Sequence, residues 1–423
     1  MKTQLGNLKN TIGSLTRVYK NCNKNNSNTL NYVLNINNVS LDNDNALNCV
    51  LNVNNISSDE NTLFNSYHIL NDTIFDNIIE DNIVNKNNSK GIISGPYSPT
   101  QIKKAYDINN ILPLKGIRPT IITIISAFSN PYLINDVKKF GQLFGLPPCN
   151  LQIYNFSRYF YSGWAVETTL DVQWAYAINP YAQIRVILAA SSRLIDIFNA
   201  IKYANNKNNF KPAIDTDIIS MSLGTLDSGV LTSYNNLFSN KNTIYLAASG
   251  DSNNVSFPSS CTNVISIGGT TLSLNSDNTR SSEKVWNLSG SGFSKYFVKP
   301  YYQPNLFNNN YRITPDLCCV ADPNTPCYIV LNGKTYSIGG TSLSCPIYAG
   351  ILSILTQKLL NEKKQTYTSV QNNTNTIQPK LYNLINSFYD VTQGNSGTNQ
   401  AKPEFDSASG LGVINLNQII QYF

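Results

Sequence analysis

Between residues 120 and 270 the chain alternates two textures. Continuous apolar, β-branched runs at Thr120–Ile125, Gln183–Ala189, Asp217–Ser222, Thr243–Ala248 and Val264–Ile267 read as strands buried on both faces. Helical periodicity appears near Asn135–Phe144 and Ile195–Tyr203. Strands alternating with helices predict an α/β fold, with a mostly parallel central sheet flanked by helices on both faces. Such sheets place their sites beyond the carboxyl ends of the strands. The residues that follow each strand are therefore the first candidates for chemistry.

Upstream the pattern dissolves. Of 63 asparagines, 25 fall in the first 90 residues, around short aliphatic islands at Tyr32–Leu34, Val50–Leu51 and Ile78–Ile79. The islands could pair as short strands, but the composition predicts a leader or shortened propeptide over residues 1–93. Ser94–Pro99 reads as an exposed linker, and residues 94–423 as the main domain.

Composition narrows the chemistry. The net charge of +6 comes from scattered Lys and Arg with no basic run interleaved with aromatics, so no nucleic-acid partner is expected. No 18-residue apolar run suggests a membrane span, and the first residues lack the apolar core of a secretory signal. A monomer is expected. The eight cysteines contain no C-x-x-C and read as small buried hydrophobes in a reducing setting, with one bridge among Cys318, Cys319 and Cys327 left open. The single histidine, His68, excludes zinc sites and facial triads built on two or more histidines. A hydrolase built from this chain must take its base from His68 or from a carboxylate, and His68 has no Gly or Ser around it to shape a site.

Three segments carry candidate chemistry. Thr243–Ala248 runs into Ser249-Gly250-Asp251-Ser252, a small-residue turn presenting one carboxyl; alone, this is also an ordinary Asx turn. Gly339-Gly340-Thr341-Ser342-Leu343-Ser344-Cys345-Pro346 leads into an apolar helix, Ile347–Leu360, with Pro346 expected in its first turn. Ser342 then sits where backbone N–H groups favour negative charge, or is simply an N-cap. Finally, Trp164–Ala175 reads as a semi-buried helix with Glu167 and Asp171 at i, i+4, two carboxyls on one face that would share a proton. Burial and a carboxyl neighbour raise a pKa far enough for a carboxylate to serve as a base toward serine, and a protonated Asp can donate to an oxyanion.

These motifs together resemble the sedolisins, the serine-carboxyl peptidases of family S53 with a subtilisin-like fold. The pattern G-T-S-x-x-x-P is met at Gly340–Pro346, E-x-x-x-D at Glu167 and Asp171, and A-A-x-G-D-S at Ala247–Ser252. Phe257–Ser260, Ile267–Thr270 and Pro315-Asp316 are similar to further family segments, so the resemblance covers roughly residues 95–415. It implies Ser342 as nucleophile, Glu167 as general base and later acid, Asp171 as its orienting partner and Asp251 as oxyanion donor. Protein or peptide substrates, work at acid pH and an acidic or extracellular compartment follow from that mechanism. Self-processing near residues 88–96 is also expected. Tyr389–Asn395 with Pro403–Gly412 resembles the family's calcium loop, implying one structural Ca2+ held by the side chains of Asp390 and Asp406 and the carbonyls of Val391, Lys402 and Glu404. Lys402 and Glu404 stand where the family usually has Gly, and Leu223 stands where many members carry Trp beside the cleft. The alternative is a catalytically silent relative acting as a binding or structural protein.

Overall fold

The computed structural model describes residues 48–49, 65–66, 69–71, 91–108, 118–304, 308–361 and 377–423. The strands up to the central sheet are β1 (Asn48–Cys49), β2 (Asn65–Ser66) and β3 (Ile69–Asn71). There follow β4 (Ile121–Ala127), β5 (Asn150–Asn155), β6 (Gln183–Ala189), β7 (Ile218–Met221), β8 (Leu223–Leu226) and β9 (Ile244–Ala248). Next are β10 (Ser256–Phe257), β11 (Val264–Leu274), β12 (Arg280–Val285) and the β13–β14 ribbon (Gly292–Val298, Tyr311–Thr314). β15 (Leu317–Val320), β16 (Cys327–Leu331) and β17 (Lys334–Gly339) lead to the core helix. The helices used below are α1 (Pro99–Ala105), α2 (Leu133–Leu143), α3 (Ser162–Ile178), α4 (Leu194–Ala204) and α5 (Thr341–Asn361).

The central sheet runs β12-β11-β9-β7-β4-β6-β5, with β15 also paired to β11, and every pair except β11–β12 is parallel. Side chains of a strand alternate between faces, and both faces here are apolar. Ile184, Val186 and Leu188 of β6 face one cluster with Phe140, Leu170 and Leu352 from α2, α3 and α5. Ile187 and Ala189 face a second cluster with Ile197, Phe198 and Ile201 of α4. This is why the strands read as unbroken apolar runs. β5, missed in the sequence pattern, is a half-buried edge strand.

From β4 the chain builds β5 and β6 on one side, then returns to add β7, β9 and β11 on the other. The reversal opens a crevice beyond the carboxyl ends of β4 and β7. α3 and α5 cross behind it. Both are buried on nearly all sides, as expected of core helices that lack a polar stripe. They approach closely at Gly350, where an added Cβ would lie 2.5 Å from Ile178 Cβ.

Three expectations change. Ser94–Pro99 is not an exposed linker: Tyr97 is fully buried, its hydroxyl donating to Ile93 O (2.9 Å) and Leu272 O (2.7 Å). Ser98 caps α1 in a reciprocal box with Gln101. The body therefore begins by Ile93, which bridges Leu274. The core helix starts at Thr341, so Pro346 lies inside it rather than in its first turn. That 21-residue helix is also long and apolar enough to cross a bilayer, against the sequence expectation, although 89% of its apolar window is buried inside the protein. The six cysteines with described side chains, Cys149, Cys261, Cys318, Cys319, Cys327 and Cys345, are all free, so the bridge left open among Cys318, Cys319 and Cys327 is not formed. His68 and the islands Tyr32–Leu34, Val50–Leu51 and Ile78–Ile79 lie outside the described residues.

Candidate active site

α3 places Glu167 and Asp171 one turn apart on the side facing the crevice, with relative exposures of 1% and 0%. Asp171 Oδ1 accepts a 2.5 Å hydrogen bond from Ser222 Oγ, the residue immediately after β7. On the other side of Glu167, Ser126 and Thr168 share a 2.6 Å hydroxyl contact that ties the end of β4 to α3.

Ser342 enters from α5. Gly339 and Gly340 make this approach feasible: a Cβ at Gly339 would lie 2.5 Å from Ala321 O, and Gly340 has φ 113°, a conformation closed to other residues. The helix then begins, and Ser342 sits in its first turn with no exposed surface. Pro346 has no N–H to give to the carbonyl four residues back, which is that of Ser342. Ser222 Oγ lies 3.3 Å from this oxygen. One hydroxyl thus stands between the acid partner and the backbone of the nucleophile.

Ser342 Oγ faces Glu167. The contact is looser than a full hydrogen bond in this state, although Ser342 acts on Glu167 as a hydrogen-bonding neighbour; such contacts commonly tighten only when substrate binds. Burial pushes the Glu167 pKa well above the carboxylate range, Ser342 pulls it down and the Asp251 charge pushes it up. Burial does the same to Asp171, reinforced by Glu167 and opposed by Ser222. Two carboxyls so placed hold on to protons at pH values where free carboxylates are ionised.

Asp251 follows β9 in the predicted turn. Its Oδ1 accepts from Thr341 N (2.8 Å) and Thr341 Oγ1 (2.7 Å), and Thr341 Oγ1 accepts from Gly250 N (3.1 Å). All four sequence candidates, Ser342, Glu167, Asp171 and Asp251, therefore converge on one crevice. Sequence reasoning missed Ser222 and Thr341 as their organisers. The signal for Ser222 was Pro346, which leaves a carbonyl without its helical donor. Leu223, the departure beside the cleft, is fully buried in β8.

The putative metal loop is best described by its donors. Asp390 Oδ2 accepts from Glu404 N (2.8 Å), and Asp406 Oδ2 from Lys402 N (2.8 Å), so both carboxylates hold the same turn. Asp406 also takes Ala408 N, Ser409 N and Ser409 Oγ, and Ser409 Oγ lies 3.4 Å from Val391 O. Glu404 keeps the left-handed backbone that glycine would supply, φ 68°, at a cost of about 1–2 kcal/mol. Among the described residues no group of three or more His, Cys, Asp or Glu could hold a metal. The all-oxygen set of two carboxylates and neighbouring carbonyls nonetheless fits a hard cation.

A serine on a helix N-terminus opposite buried carboxyls, on a doubly wound sheet, marks a known class. The Subtilase family pattern matches residues 174–412, and the chain belongs to that family, among its sedolisin-type members. It is 30% identical over 290 residues to kumamolisin of Bacillus sp. (strain MN-32), covering 58% of this chain and 48% of that protein. It is 27% identical over 343 residues to tripeptidyl-peptidase sed4 of Aspergillus fumigatus, covering 66% and 55%. The chain thus spans about half the length of these curated relatives. The solved structure of Pseudomonas sedolisin, a serine-carboxyl proteinase, superimposes with TM-score 0.67 at 22% identity over 78% of this chain and 98% of that one, which shows the subtilisin-like fold.

Proposed function

We propose that the protein is a serine-carboxyl peptidase that hydrolyses peptide bonds at acid pH. The observation that carries this reading is the buried Glu167–Asp171 pair set against Ser342 with its pKa values raised. Glu167 takes the Ser342 hydroxyl proton as Oγ adds to the substrate carbonyl carbon. Asp251, protonated, donates to the developing oxyanion. Glu167 returns its proton to the leaving amine, and water then hydrolyses the acyl ester by the reverse sequence. Asp171 orients Glu167 and shares its proton. Activity falls as pH rises, because both the shared proton and the Asp251 proton are lost.

A structural Ca2+ bound by Asp390 and Asp406 with the carbonyls of Val391, Lys402 and Glu404 is part of the same reading, as are protein or peptide substrates. The test is a peptide-library digest over roughly pH 3–7 with wild type and Ser342→Ala side by side. The variant is expected to lose about 10⁴-fold or more in kcat while retaining its fold; undiminished cleavage would overturn the mechanism.

A further inference from the structure

Two short strands from the Asn-rich region meet the catalytic crevice at its two edges. β2 pairs antiparallel with β8, Asn65 opposite Gly224 and Ser66 opposite Leu223. β3 pairs antiparallel with β17, Ile69 opposite Gly339, Leu70 opposite Ile338 and Asn71 opposite Ser337. These edges flank the reacting groups. Leu223 follows Ser222, whose hydroxyl touches Asp171 and the Ser342 carbonyl. Gly339 lies three residues before Ser342 on the strand that delivers it.

Residues 65–71 thus run in one direction from the acid-partner edge to the nucleophile edge, antiparallel to both. The link from Ser66 to Ile69 is three peptide steps, at most about 11 Å. Its peptide bonds are within reach of a group standing between β8 and β17, as Ser342 does. Strand addition at two edges is also how an extended peptide is held by backbone bonding, without demands on its side chains. The complete burial of Ser342 agrees with a crevice already covered.

We infer that residues 65–71 are an internal peptide ligand of this crevice and that the protein cuts its own chain within the link between Ser66 and Ile69. This rests on the peptidase reading above. Ser342 Oγ adds to the carbonyl carbon of a peptide bond in the link, and its proton goes to Glu167. The C–N bond breaks, Glu167 protonates the new amino terminus, and water releases the new carboxyl terminus from the ester. Tethering gives the segment an effective concentration of order millimolar, so external peptides compete poorly until the cut is made. The segment near residues 88–96, expected earlier to be the processing point, pairs with neither edge: Ile93 bridges Leu274 and Tyr97 bridges Cys327.

The experiment is an acid time course of the full chain, wild type and Ser342→Ala, read by intact mass and N-terminal sequencing, with an added peptide library in parallel. A new amino terminus at residue 67, 68 or 69 in wild type alone, at a rate constant unchanged by tenfold dilution, is the expected result. A terminus elsewhere, an uncut chain that still hydrolyses added peptides, or a rate that falls with dilution would overturn the inference and leave the peptidase reading standing. Failure to cut either its own chain or added peptides would sink the peptidase reading itself. As a second variant, Ile69→Pro removes a backbone donor from the ladder. It should shorten the lag before added peptides are cut, and an unchanged lag counts against the internal ligand.

Discussion

Glu167 is a residue whose chemistry and stability pull in opposite directions. Its carboxyl and that of Asp171 bind protons more tightly when folded than when unfolded, because burial disfavours their charged forms. Stability from this source is present below the free carboxylate range, about pH 4, and is lost as pH rises through the raised folded pKa values. Glu167→Gln removes that burden along with the base. It is therefore expected to abolish cleavage yet raise the melting temperature more at about pH 7 than at about pH 4. Equal shifts at both pH values, by calorimetry, would contradict the raised pKa. Asp251→Ala removes a single donor to the oxyanion, so kcat should fall by roughly 10²–10³ with KM little changed. Both carboxyls were legible from their spacing and neighbours; that Asp251 rests on the Thr341 amide and hydroxyl was not, since 90 residues separate them.

At the scale of elements, the site is a meeting of ends: β7 supplies Ser222, β9 supplies Asp251, and α3 and α5 bring the carboxyl pair to the serine. Ser222→Ala should lower kcat by about tenfold, as for the loss of one hydrogen bond to a charged group. Because Ser222 holds the Asp171 pKa down, its loss should also move the alkaline limb of the kcat/KM profile to higher pH. A profile that stays in place would reduce Ser222 to a packing residue. The crossing of α3 and α5 depends on Gly350. Gly350→Ala forces a Cβ against Ile178 and should cost about 1–3 kcal/mol, read as a melting point several degrees lower. Helix existence was predictable from apolar patterning, whereas the start of α5 was not. Pro346 marks a first turn by local rules, but here it is tolerated inside the helix, with Ser222 close to the carbonyl it leaves without a donor.

For the whole molecule, the C-terminal turn between Asp390 and Asp406 is the place where an ion would act. Chelation should lower the melting temperature, and elemental analysis should find about one Ca2+ per chain. An unchanged melting curve with no bound metal would remove the calcium proposal. The loop already has a network without an ion, because Asp406 accepts four donors from residues 402–409. The loss on chelation is thus expected to be a shift in stability, not unfolding.

Sequence alone determined the strand and helix series, the buried parallel sheet and the identities of Ser342, Glu167, Asp171 and Asp251. Each of these is a local pattern: an unbroken apolar run, an i, i+4 pair, a small-residue turn after a strand. Tertiary structure decided what no local pattern encodes. It buried Ser94–Pro99 against Leu272, placed Ser222 between Asp171 and the Ser342 carbonyl, and paired residues 65–71 with β8 and β17. These are contacts between segments far apart in the chain. They exist because a doubly wound sheet collects distant strand ends at one crevice, where each unpaired backbone or carboxyl group must find a partner.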